Sequence, residues 1–149
     1  MSVNPKETLK TILEEIILVK DDGSTPVSLK ISDEFTEQAW ENFDIVFTVA
    51  LASEQHKFLT LRGETEIVAN YRIGIWTRNR EGVSGLRLLW DAEREVKRVI
   101  GKYARNPGGI LRWMRVISIV EAHRIEPRPV LYHADVTVET HRYVSMGGA

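Results

Sequence analysis

The chain has 149 residues, 43% of them hydrophobic and 28% charged, with a net charge of −1 and no cysteine. That length suits one domain with one sizeable core. The near-neutral charge gives no overall field toward nucleic acid or an anionic membrane, and the absent thiols remove disulfides, cysteine nucleophiles and thiolate metal sites together.

No apolar run approaches the ~20 residues that span a bilayer. The opening stretch MSVNPKETLKTILEEIILVK interleaves charges with its apolar residues and lacks a signal peptide's uninterrupted apolar core. The expected setting is the cytoplasm, or an assembly built there.

NPKETLKTILEEIILV predicts a helix. Asn4 stands at the cap, Pro5 suits the first helical position, and Leu9, Ile12, Leu13, Ile16 and Ile17 form one apolar stripe. DDGSTP ends it, because Gly23 permits positive φ and Pro26 blocks continuation. VSLKIS alternates like a strand. Residues 35–43 fit either a short helix or an irregular loop. DIVFTVALA reads as a strand with two apolar faces, hence central in a sheet. SEQHKFLTLRGE reads as a turn or a long hairpin tip. TEIVANYRIGIWT is a second long strand, with Ile67, Ala69, Tyr71, Ile73 and Ile75 on one face.

RNREGVSG is a polar loop. LRLLWDAEREVKRVIGKYA follows as a helix whose buried stripe is Leu89, Ala92, Val96, Val99, Ile100 and Tyr103. NPGG stops it. WMRVISIVEAHRI and VLYHADVTVETHRYV form a final hairpin around EPRP. The predicted fold is α+β: a single domain over residues 1–149, with an antiparallel, mostly meander sheet and two main amphipathic helices on one face. Residues 145–149, small and glycine-rich, read as a disordered tail.

No catalytic constellation survives its own spacing test. GVSGL lacks the second glycine of a nucleophile elbow, since Leu86 stands there, so Ser84 or Gly85 is read as a helix cap. No phosphate-binding glycine motif is present. His133 and His141 share a strand face with Asp135 and Glu139, but a rise of ~3.4 Å per residue puts the imidazoles ~27 Å apart. Asp135 and Glu139 stand ~13 Å apart, long even for an inverting glycosidase pair. No catalytic residue, metal ligand set or cofactor site is therefore expected. Arg72, Trp76, Arg78 and Arg80 interleave an aromatic with cations, a composition that suits a nucleic-acid platform or a subunit interface. The interface is favoured by the neutral net charge.

The element order resembles the tail terminator (tail completion) proteins of long-tailed bacteriophages. The likeness is carried by ETEIVANYRIGIWTRN, the loop REGVSG, the charged helix LLWDAEREVKRVIGKY and the strand HADVTVETHRYV, and runs over about residues 4–144. The resemblance implies a non-enzymatic virion protein without cofactor. It would form a homohexameric ring that caps the tail tube and presents a surface to the head-completion or connector protein. DNA would meet it only by passing through the ring, and no membrane is implied. A head–tail connector or neck component is the alternative role, with a small metal- or nucleic-acid-binding protein behind it. The family supplies no short signature to transfer, so the candidate interface comes from this chain: Arg72, Trp76, Arg78, Arg80, His133, Asp135, Glu139 and His141. Because histidine titrates near pH 6.5, assembly through the His133–His141 face is expected to vary between pH 5 and 8.

Overall fold

Period-two alternation of apolar residues builds three long strands, and the helices assemble against one side of them. The computed structural model describes residues 5–34, 42–58, 64–105, 113–122 and 131–145. Among these the elements are α1 (Pro5–Leu13), β1 (Leu29–Ser32), β2 (Ile45–Phe58), β3 (Glu64–Thr77), α2 (Gly85–Lys102), β4 (Trp113–Glu121) and β5 (Tyr132–Ser145). One five-stranded sheet has the order β1-β2-β3-β5-β4.

The sheet is mixed, which corrects the expected antiparallel meander. β1 runs parallel to β2, while β2–β3, β3–β5 and β5–β4 are antiparallel. Nor do β3 and β4 pair, as a meander would require. The chain passes along α2 to the far edge, and β5 then returns between them. Ala134, Val136 and Val138 of β5 are fully buried on the helix side, whereas Val120 of β4, on the outer face, is 60% exposed. By composition β4 is the more apolar of the two strands, so apolar content alone does not set the order.

One face of the sheet carries the core. Ile45, Phe47 and Val49 of β2, Ile73 and Ile75 of β3, and the β5 residues above pack against Leu9 and Leu13 of α1 and Leu88, Leu89, Ala92, Val96 and Val99 of α2. The helices do not cover the whole sheet. β2, β3 and β5 each have 14 residues, about 46 Å when extended. The 18 residues of α2 span about 27 Å. The far ends of the three strands therefore project beyond it.

Two expected boundaries move. The first helix ends at Leu13 rather than continuing to residue 19. Glu14, Glu15 and Ile16 tighten into bonds to carbonyls three residues back. After that, α2 takes over the backbone. Glu95 Oε1 accepts from the Ile17 N–H at 3.0 Å, Arg98 donates to the Glu15 carbonyl at 3.3 Å, and Arg87 donates to the Val19 carbonyl at 3.0 Å. Ile17, expected in the buried stripe, is 73% exposed. The second boundary is in β2, which continues through residues 53–58, where a turn or a long hairpin tip was expected: the long hairpin is the one found. A bulge at Ala52 shifts its register against β3, and the exposed stretch is held by pairing rather than burial.

Both turns use positive φ where the sequence supplies glycine: Gly23 at 76° and Gly82 at 75°. Ser84 occupies the N-cap of α2 without a side-chain cap bond. The amides there are met from elsewhere. Asn79 Oδ1 accepts from Gly85 N–H at 2.8 Å, and Asp21 Oδ1 accepts from Ser84 N–H at 3.0 Å. Residues 35–41, residues 123–130 with His123 and the expected EPRP turn, the NPGG stretch 106–109, and residues 146–149 lie outside the described residues, as does Asn4. Ser145, placed with the tail by its sequence, closes β5.

Candidate subunit interface on the outer sheet face

The strand β5 sorts its side chains by parity. Ala134, Val136, Val138 and Thr140 are buried on the helix side, and Thr140 Oγ1 donates to the Ala69 carbonyl at 2.9 Å. His133, Asp135, Thr137, Glu139 and His141 occupy the opposite face. Register places Trp76 beside His133, Gly74 beside Asp135, Arg72 beside Thr137, Asn70 beside Glu139 and Val68 beside His141. The core lies on the other side, so neither described helix packs on this face.

Two separate clusters form on it. In the first, His133 Nδ1 lies 3.0 Å from the Ile75 carbonyl oxygen and Nε2 lies 3.0 Å from Asp135 Oδ1. The Trp76 ring stacks on the imidazole with centroids 3.7 Å apart and planes at 24°. Gly74 makes room for this arrangement. A Cβ there would collide with Thr48 Oγ1 and stand 3.1 Å from Trp76 Nε1.

In the second, His141 lies between two carboxylates. Nδ1 is 2.7 Å from Glu66 Oε1 and Nε2 is 3.1 Å from Glu139 Oε1. Trp113 stacks on the imidazole at 3.6 Å and 17°. Arg115 reaches Glu139 Oε1 at 3.2 Å while its guanidinium stands 5.4 Å from the Trp113 ring centre. The His141 hydrogen bond, with the Arg115 charge behind it, holds the Glu139 carboxyl below the ordinary carboxylate range. In each cluster both ring nitrogens meet oxygen acceptors. An imidazolium, with two N–H donors, satisfies both; a neutral ring satisfies one.

The clusters sit at opposite ends of β5 and do not converge. Exposed Arg72 lies between them, level with Thr137 on one side and Ala50 on the other. Among the described residues, no set of three histidine or acidic side chains is arranged to hold a metal ion. His56 pairs with Glu54 at 3.5 Å, on the helix side of the projecting β2 segment.

Of the sequence-derived residues, Arg72, Trp76, His133, Asp135, Glu139 and His141 share the outer face. Arg78 and Arg80 stand beyond the end of β3. Arg80 Nη1 lies 3.2 Å from Asp44 Oδ1, whose side chain is 5% exposed, and Asp44 in turn accepts from the Ser28 N–H at 2.9 Å. That network ties the β3–α2 turn to the start of β2. The Arg78 backbone is packed against Gly85, whose Cβ would lie 2.6 Å from the Arg78 carbonyl carbon.

Sequence reasoning missed Glu66, Trp113 and Arg115. Their parity in the two strands was readable, but a cross-strand partner is defined only once register is known. No helix among the described residues is long and apolar enough to cross a membrane. The chain matches no protein-family model and no curated protein, so the reading of this face rests on its own geometry.

Proposed function

We propose that the protein is a structural assembly component: a ring-forming homo-oligomer of the tail-terminator kind, hexameric if the resemblance holds. It caps a phage tail tube and presents a surface to the head-completion protein. Its place is the virion, at the tail or neck, after assembly in the host cytoplasm. Catalysis and a cofactor form no part of this reading.

The observation that carries it is the outer face, on which neither described helix packs. A broad sheet surface bears two aromatic–imidazole–carboxylate clusters and the exposed Arg72, residue types that suit a specific protein contact. The order helix, strand, hairpin, helix, hairpin adds support, and it survives the correction of the sheet to a mixed one.

Light scattering and native mass spectrometry at micromolar concentration test the reading. The expected result is one closed oligomer, which then binds purified tail tubes. A strict monomer across salt and pH, with no affinity for tubes, overturns it. Binding to emptied heads with none to tubes selects the connector role instead.

A further inference from the structure

Among the described strands the sheet has two edges left open, and they are complementary. β1 covers β2 only from Ile45 to Thr48. From residue 49 to 58 β2 pairs with β3 alone among the described strands. At the other side β4 is the last strand of the sheet. An isolated bridge from Arg105 covers Trp113, and the Ala104 carbonyl accepts from the Met114 N–H. Residues 115–120 pair with β5 alone among the described strands. Exposed backbone edges of this length invite another strand.

Direction decides which strand fits. Three successive antiparallel pairings lead from β2 to β4, so β4 runs opposite to β2. A second copy in the same orientation beside the first therefore offers its β2 antiparallel to this copy's β4. Antiparallel is the stronger pairing. The contact is head-to-tail, the kind that closes a ring when rotation allows.

Register follows from what β1 blocks. Within one copy Val120 is level with Asp135, Gly74 and Thr48. In the neighbour Thr48 is already covered by Ser32. A slip of two rows clears β1 and sets Val120 opposite Ala50. Counting the bulge at each strand, the same slip sets Ile119 opposite Leu51 and Val116 opposite Glu54. Faces agree at each step. Leu51, 51% exposed in the single chain, joins the helix-side apolar row of Ile119. Glu54 arrives beside a groove of about 140 Å³ lined by Lys97, Ile100, Ala104, Met114, Arg115 and Val116. An acidic side chain thus meets a groove with the Lys97 cation at its rim, the Arg115 guanidinium being held by Glu139 on the outer face.

We infer that copies of this chain join edge to edge, the residue 49–58 segment of β2 in one copy adding to residues 115–120 of β4 in the next, with Glu54 seated by Lys97. This rests on the ring reading above and assigns its subunit contact to the sheet edges. The outer-face clusters are left for the tail tube or head partner. The two-row slip at each junction gives the strands the stagger that a closed ring of sheets requires.

The chain has no cysteine, so a cross-link reports one contact. Ala50→Cys and Val120→Cys together place one thiol on each edge. With β3 and β5 between them and a two-residue offset along the strands, they stand about 16 Å apart in one chain, too far for an internal disulfide. Mild oxidation is expected to give a covalent ladder under denaturing conditions that ends at the ring size, with either single variant giving no cross-link at the junction. Glu54→Lys is expected to weaken association roughly tenfold at low salt, with its circular dichroism unchanged. An oligomer that forms normally yet yields no ladder overturns the edge contact and leaves the ring reading standing. A chain that stays monomeric under all conditions overturns both.

Discussion

The two ends of β2 are the same strand in opposite surroundings. Ile45, Val46, Phe47 and Val49 are completely buried. Every residue from 50 to 58 is exposed. Both ends keep an unbroken ladder to β3 apart from the bulge at Ala52. Burial fixes the first end, with Ile45, Phe47 and Val49 under the helices and Val46 on the opposite face. The second is fixed by its neighbours in the sheet, with polar contacts across strands such as Arg142 to Glu54 at 3.4 Å. Extended structure thus continues past the core wherever two other strands continue with it.

The largest expected effect breaks the covered end. Phe47→Ala removes the bulkiest of the completely buried side chains and should cost about 3–5 kcal/mol in urea unfolding. Phe58→Ala, at a position 78% exposed, should stay within about 0.5 kcal/mol. Equal costs would mean that the two ends are not stabilised differently.

Gly85→Ala comes next. The added Cβ would meet the Arg78 backbone at 2.6 Å and the Tyr132 ring at 2.7 Å, and backbone cannot yield as a side chain does. A loss of about 1–3 kcal/mol is expected, and an unchanged thermal midpoint would show that α2 has room to shift.

For the projecting end, His141→Ala leaves Glu66 and Glu139 without their shared donor, and should cost about 1–2 kcal/mol. A double-mutant cycle with Glu66→Gln isolates the pair. Zero coupling energy would reduce the cluster to surface decoration.

The smallest effect is a slope. Burial, then the hydrogen bond and charge of Glu121, raises the Glu93 carboxyl from 4.5 to about 7. A raised carboxyl stabilises the fold while protonated. That contribution is complete below pH 4.5 and is lost as pH rises through about 7. Glu93→Gln should therefore flatten the fall in thermal midpoint between pH 5 and 8. Parallel curves for the two proteins would remove Glu93 from the account.

Much of the frame was legible as pattern. Alternation along TEIVANYRIGIWT and HADVTVETHRYV assigned each residue to its face, and the stripe of the second helix anticipated Ala92, Val96 and Val99. Strand partners were not legible, because period two says which face a residue takes and nothing about which strand lies beside it. The parallel β1–β2 pair was hidden for that reason. So were Glu66, Trp113 and Arg115, which reach His141 only through register. The early end of α1 was hidden for another. Local propensity favours helix through Ile16, and contacts with α2 overrule it.

Those contacts carry a consequence for how the chain comes to be folded. The Ile17 amide waits for Glu95, 78 residues later, the Glu15 carbonyl for Arg98, 83 later, and the Glu15 carboxylate for Lys102, 87 later. In a chain made from its N-terminus, the first apolar helix can meet Asp33 through Lys6 and Lys10, and the β2 residues of the core, long before α2 exists. The turn that ends it has no such early partner in these bonds: it is fastened only once residues 95 to 102 have emerged.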